Sequence, residues 1–301
     1  MPIGYSTAPA GALDRIYRRC AELGSRLTPD TASVLSESAY EGFRRAQRLA
    51  YACVTEIGRQ LRPGMTEVQA AEMLKKYLID HGSDRYLHRP FAWFGEHARF
   101  DGYAGYGDYH PGQRRLAQGE VAILDVSPMV GGYTADVGYS LSVGPNLELA
   151  RARAFLLELR ALIPQLFAGR MNPSAIWSAV DQRIREAGYD NIHARYPFAV
   201  LGHRIFRVKA RAQKAVRFGG GSFGWFSLEA NLKFLRNGFA AALSPENVGS
   251  KRGLWAIEPH IGWNGAGAKF EEILIVDHHG ARWLDDAVPH VQQASASRAA
   301  C

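Results

Sequence analysis

The chain has 301 residues, 47% hydrophobic and 22% charged, ordinary globular composition that suffices for one large domain or two small ones. No apolar run approaches the roughly 20 residues that span a bilayer. The N-terminus has no basic region followed by an apolar core, so no signal peptide is expected. The three cysteines, Cys20, Cys53 and Cys301, lie far apart, which predicts a reducing, cytoplasmic setting without a disulfide framework. The net charge is +7 with a pI near 9.4. Its basic residues are spread out apart from 204–217, and no zinc-finger, helix-turn-helix or RNA-binding signature accompanies them. The charge is therefore read as solubility, and nucleic acid is not the expected partner.

Residues 1–38 have some helical periodicity over 12–27 and read as an arm packed on the surface or on a partner subunit of a homodimer. From 40 to 61, Phe43, Ala46, Ala50, Cys53, Ile57 and Leu61 recur at helical spacing, and Pro63-Gly64 breaks the pattern. Thr66 with Gln69 forms a capping-box signature for a second helix that Gly82 ends. A strand is expected over 91–94, followed by a loop rich in Gly, Tyr and His. Two more helices are expected over 147–167 and 173–187. The two helix pairs are laid out alike, which suggests two similar halves, each a sheet portion backed by helices. Residues 211–250 read as an inserted segment whose aromatics, Trp225 and Phe226 among them, form an amphipathic helix roofing a pocket or covering the core. Strands are expected over 254–258 and 269–277, with EPHIGWNGAG as a loop between them.

Residues 121–141, VAILDVSPMVGGYTADVGYSL, predict a hairpin: one strand that Pro128 stops, a reversal at Gly131-Gly132, and a strand from about Tyr133 carrying Asp136. Such a hairpin can set Asp125 and Asp136 on one face. Two carboxylates among apolar residues either neutralise a divalent cation or stand at a strand edge facing water. Other groups fall in line with them. His203 follows Gly202, Glu258 ends an apolar strand, Glu271 begins another, and His110 lies just before the hairpin. Asp125, Asp136, His203, Glu258 and Glu271 would make an oxygen-rich site with one nitrogen, suited to a pair of Mn, Fe, Co or Zn ions and poorly suited to structural zinc.

The order Asp, a second Asp eleven residues on, Gly-His, Ile-Glu-Pro, then a Glu opening an Ile- and Val-rich strand resembles the pita-bread metallopeptidases. That family includes methionine aminopeptidases, Xaa-Pro aminopeptidases, prolidases and creatinase. The resemblance covers about residues 40–286 and rests on GMTEVQAAEML, GEVAILDVSPMVGGYTADVGYSLSVG, WAIEP and FEEILIVDHHG. It implies an α/β fold, a curved and mainly antiparallel sheet backed by helices with an internal pseudo-two-fold repeat. The catalytic domain would span 39–290, between the N-terminal arm and a tail of residues 291–301. It further implies that Asp125 chelates one metal, that Asp136 and Glu271 bridge two, and that His203 and Glu258 complete the second position. A metal-bound hydroxide would attack an amide carbonyl of a short peptide or small molecule, with Glu258 as proton carrier. His110, Phe94 and Trp225 are the residues assigned to substrate.

The departures bear on chemistry. Where the family's peptidases carry a histidine seven residues after the ligand histidine, this chain has Ala210, and where the proline-specific members carry one four residues before it, it has Ala199. Lys269 replaces an arginine two before the final Glu, the glycine-rich run after His203 is replaced by RIFRVKA, and the interval from His203 to Glu258 is long. The chain is closer in size to the catalytic domain alone. Two further readings keep the fold: creatinase-like C–N cleavage, a lyase or a biosynthetic reaction on a small molecule, or a binding protein that has lost turnover.

Overall fold

A computed structural model describes residues 11–27, 35–103, 106–208 and 238–299. The helices begin where polar side chains meet the free N–H groups of a first turn. Ser36 caps α2 (Glu37–Gln60), and Asn146 and Asn172 cap α4 (Leu147–Ala168) and α5 (Pro173–Glu186). Thr66 and Gln69 form the reciprocal capping box of α3 (Glu67–Asp80). The stripe Phe43, Ala46, Ala50, Cys53 and Ile57 faces inward on α2, as its spacing requires. The arm forms α1 (Ala12–Leu27) and lies on its own chain, where the Ser25 hydroxyl accepts from Val248 N–H at 3.0 Å.

Two halves repeat one plan. In the first, α2 and α3 back the antiparallel sheet of β2 (Phe91–Phe94), β3 (Val121–Val126) and β6 (Val137–Ser142), with β3 in the middle. In the second, α4 and α5 back a sheet in which β10 (Gly253–Ile257) lies between β8 (Gly202–Arg204) and β13 (Glu272–Asp277). β9 (Ala242–Leu243) and β14 (Gly280–Trp283) are its edges. The Tyr139–Phe270 bridge and a hydrogen bond from Glu271 N–H to the Gly138 carbonyl, 3.1 Å, join the halves. This is the expected pita-bread fold with its internal repeat.

Three expectations change in detail. Pro128 does not end the hairpin's extended chain. The backbone leaves β3 at Ser127 and re-pairs as β4 (Pro128–Val130) between β1 (Arg85–Tyr86) and β5 (Tyr133–Thr134). A proline tolerates this because the strand is short and its partner at that register, Tyr86, lies at the end of β1. Asp136 therefore sits in the break between β5 and β6, not within one continuous strand. The stretch expected as a loop after Glu258 is itself a hairpin, β11 (His260–Trp263) with β12 (Ala266–Lys269), closed by Asn264-Gly265 with Gly265 at φ +85°. Residues 291–299, expected as a tail, belong to α6 (Pro289–Ala299). Of the inserted segment, residues 211–237 lie outside the described residues, and with them most of the expected aromatic roof, Trp225 included.

Candidate metal centre

The site forms where the two halves meet, and strand geometry aims its side chains. In β3, residues alternate between two environments. Ala122, Leu124 and Val126 join the core under α2 and α3, while Ile123 joins the opposite cluster with Phe91 and Trp93. Asp125 shares the second face, paired with Phe91 on one side and Gly138 on the other. His203 lies opposite Ala256, Glu258 follows β10, and Glu271 immediately precedes β13. All five expected ligands are buried.

Asp125, His203 and Glu271 gather around Asp136, while Glu258 joins them through Lys269. His203 Nε2 lies 3.2 Å from Asp136 Oδ2 and 3.6 Å from Glu271 Oε1. On the other side stands a residue the sequence reading missed. His88, between β1 and β2, places Nε2 3.0 Å from Asp136 Oδ1 and 3.4 Å from Asp125 Oδ1. Nothing local in LHRPF marks it as a ligand, because only the tertiary fold brings it to the hairpin. The second addition is Lys269, at the end of β12. Its ammonium is 2.7 Å from Asp125 Oδ2, 2.8 Å from Glu258 Oε2 and 2.9 Å from Glu271 Oε2.

The electrostatics follow from crowding without water. Burial, with Glu271 alongside, raises the Glu258 carboxyl to about 8, and burial raises that of Asp125 to about 6 despite the nearby Lys269. Burial acts on Asp136 in the same direction, but the two histidines outweigh it and hold Asp136 below the usual carboxylate range. The same contacts reverse the effect of burial on His88, which is raised to about 9, and on His203, which is raised as well.

The remaining substrate residues divide. His110 lies at the wall of the site, its ring stacked on Phe91 at 6.0 Å, and Phe91 in turn lies 5.1 Å from His88. Burial and Arg89 lower the His110 pKa. Phe94 is a correction. It is fully buried on the opposite face of β2, in the core under α2 and α3, because it is an odd number of residues from Phe91. Phe91 takes the position expected of it. Ala199 is buried in the core behind the second sheet, and its carbonyl accepts from the Trp177 indole at 2.7 Å. Ala210 lies outside the described residues.

The histidines test whether a divalent ion suits these side chains. In each, Nδ1 faces a backbone carbonyl, that of Arg89 at 2.8 Å and that of Arg204 at 3.3 Å. This assigns the proton to Nδ1 and leaves the Nε2 lone pair turned toward carboxylate oxygens, an arrangement that calls for a cation or a second proton between them. Among the described residues, Asp125 Oδ1 is buried there without a hydrogen-bond partner. Two groups of donors result, His88–Asp125–Asp136 and Asp136–His203–Glu271, each with ligand atoms within 4.8 Å of one another. The residues fit an ion.

The fold and this centre together define a metallohydrolase scaffold. The pattern of metallopeptidase family M24 matches residues 41–278, and the chain belongs to that family. It is similar to methionine aminopeptidase A of Synechocystis sp., 24% identical over 267 residues that cover 85% of this chain and 98% of that one. It is also similar to the methionine aminopeptidase of Archaeoglobus fulgidus, 24% identical over 158 residues, 52% of this chain and 51% of that one. Among solved structures, an X-Pro aminopeptidase from Thermotoga maritima aligns with a TM-score of 0.63 at 17% identity, covering 92% of this chain and 66% of that one. The prolidase from Pyrococcus furiosus aligns with a TM-score of 0.60 at 16% identity, covering 90% and 67%. The chain thus spans about half the length of the Archaeoglobus enzyme and about two thirds of the solved structures, whose likeness establishes the fold.

Proposed function

We propose that this chain is a divalent-metal-dependent hydrolase that cleaves an amide bond in a short peptide or small molecule. The observation that carries this reading is the gathering of Asp125, Asp136, His203 and Glu271, from both halves of the fold, into two buried donor groups with His88, while Lys269 holds Glu258 beside them. Carboxylates with imidazoles suit Mn, Fe, Co or Zn. A bound ion supplies a Lewis acid for the scissile carbonyl and makes water a nucleophile near neutral pH. Asp136 offers one oxygen toward each histidine and so links the two donor groups. Glu258, with its pKa raised to about 8, holds a proton near neutrality and delivers it to the leaving nitrogen. His110, kept neutral, orients the substrate along the wall that Phe91 forms. The family resemblance assigns two ions to such a ligand set, and Lys269 bears directly on how many fit.

The test is elemental analysis of the purified chain and of Asp136→Asn after incubation with Mn, Fe, Co and Zn. The wild type should retain metal and the variant should lose most of it, since an amide supplies neither the charge nor both acceptor oxygens. A wild-type chain that stays metal-free with all four ions would overturn the proposal. A second reading, a small-molecule C–N hydrolase in place of a peptidase, is favoured by Ala199 and Ala210, where peptidases of the family carry histidines.

A further inference from the structure

Lys269 occupies a position unusual for a lysine. Its side chain is 1% exposed, and three carboxylate oxygens from three separate elements stand within 2.9 Å of its ammonium. A primary ammonium has three N–H donors, and the three acceptors match that number. No ordinary surface ion pair has this form, since an unsupported buried ammonium is costly and only full pairing sustains it.

The surrounding residues accommodate it. The stem of Lys269 runs over Gly138, where a methyl group would overlap its Cε and Cδ. Gly138 is the strand partner of Asp125, so the missing side chain opens the path by which Lys269 reaches that carboxylate. The backbone is fixed as well. Ser140 Oγ accepts from Lys269 N–H and donates to the Lys269 carbonyl, both at 2.8 Å. The Tyr196 ring flanks the ammonium at 5.7 Å.

We infer that the Lys269 ammonium serves as one of the two cations of this centre, so that the chain takes up a single divalent ion, at the donors surrounding Asp136. This rests on the metal-dependent reading above. Asp125 Oδ2, Glu258 Oε2 and Glu271 Oε2 are committed to the ammonium. An ion that needed Asp125 Oδ2 or Glu258 Oε2 would have to displace the buried Lys269 ammonium. Of the oxygens that the ammonium does not hold, Asp125 Oδ1, Asp136 Oδ1 and Oδ2, and Glu271 Oε1 face the two histidines, which points the remaining ion there. Glu258 is then a residue held by lysine, and its carboxyl is left to proton transfer.

The experiment is cobalt stoichiometry by elemental analysis and titration calorimetry on the full chain, for the wild type, Lys269→Ala, Gly138→Ala and the double variant. The wild type should bind one ion per chain and Lys269→Ala two. Metal-free Lys269→Ala should melt about 5–10 °C below metal-free wild type, because three buried carboxylates lose their partner, and cobalt should restore the difference. Two ions per wild-type chain would overturn this inference alone, whereas none would overturn the metal-dependent reading on which it rests. If Lys269→Ala does not fold, Gly138→Ala still decides. It should displace the ammonium and raise cobalt uptake above one, and unchanged uptake would overturn the inference. Where both single variants fold, Gly138→Ala should be harmful alone and nearly silent in the Lys269→Ala background.

Discussion

His88 and Asp136 show how much one side chain decides in a buried, crowded centre. Asp136 faces the Nε2 atoms of two imidazoles through different oxygens, and His88 is the member of the donor groups that no motif announced. His88→Gln should weaken cobalt binding by at least roughly 10-fold, because removing even an outer-sphere partner of a metal site usually costs 10–100-fold. Titration calorimetry would read this, and unchanged affinity would remove His88 from the donor set. Another histidine records the opposite situation. His193 is fully buried, its ring packs edge-on against Trp177 at 5.8 Å, and burial lowers its pKa to about 3. An unfolded histidine titrates near 6.5. Between pH 6.5 and 3 the unfolded chain binds a proton that the folded chain refuses, so this group makes stability fall as pH falls across that window. The slope is about 1.4 kcal/mol per pH unit for one proton. His193→Phe should flatten the decline in denaturant midpoint between pH 6.5 and 5 by a corresponding amount, and an unaltered slope would show that His193 is protonated in the folded state.

Single elements carry the site through anchors that lie outside it. Glu67, in the first turn of α3, is fully buried and accepts from Phe94 N–H and Gly112 N–H, both at 2.9 Å, and from His97 at 2.6 Å. It thereby ties β2 and both ends of the loop that bears His110 to one helix. Glu67→Gln keeps the volume but turns an amide group toward these donors, at a cost of about 1–3 kcal/mol. Hydrogen exchange over residues 95–112 should accelerate markedly while α4 and α5 are unaffected. Uniform exchange would show that the loop is held in other ways.

At this scale, the readable and the unreadable parts of the chain separate for physical reasons. The capping box at Thr66 and the stripe on α2 are local patterns, and they fold as written. The five residues expected as ligands stood out because their order and flanking residues form a linear signature, and four of them, Asp125, Asp136, His203 and Glu271, fall into the donor groups. Asn264-Gly265 was a hairpin signal that the loop reading passed over, since His260–Trp263 lacks a plain alternation of apolar and polar residues. Phe94 was misassigned by parity alone, as one position along a strand reverses the face. His88 and the carboxylate contacts of Lys269 were not legible, because they depend on segments distant in sequence coming together.

For the molecule as a whole, the candidate donor groups and their altered surroundings predict a poor peptidase. A positioned acid or base contributes roughly 10²- to 10⁴-fold in rate. Position 199 is an alanine buried in the core, and position 210 is an alanine as well. His193 and His260 do not replace the missing groups, since both are buried and His260 Nδ1 is engaged by the Tyr196 hydroxyl at 2.9 Å. With Mn, Co or Fe loaded, kcat/KM on Gly-Pro and Met-Ala should fall at least 10²-fold short of ordinary aminopeptidases, and Ala210→His should recover part of it. Normal turnover by the wild type would establish a plain peptidase. No turnover by either form, with metal bound, would favour the small-molecule substrate.

Glu271 and Glu272 are neighbours that point to opposite sides of one strand. Glu271 faces the centre, while Glu272 is clamped by Arg160 Nε and Nη2, at 2.7 and 2.8 Å, and by His290 at 2.7 Å. Arg160 belongs to α4 and His290 to α6, so the position of Glu271 is set partly from the outer layer. This has a practical consequence for anyone shortening or tagging the chain. A cut before residue 289 would look harmless on a linear map, yet it would leave the carboxylate beside a site ligand with one clamp in place of two.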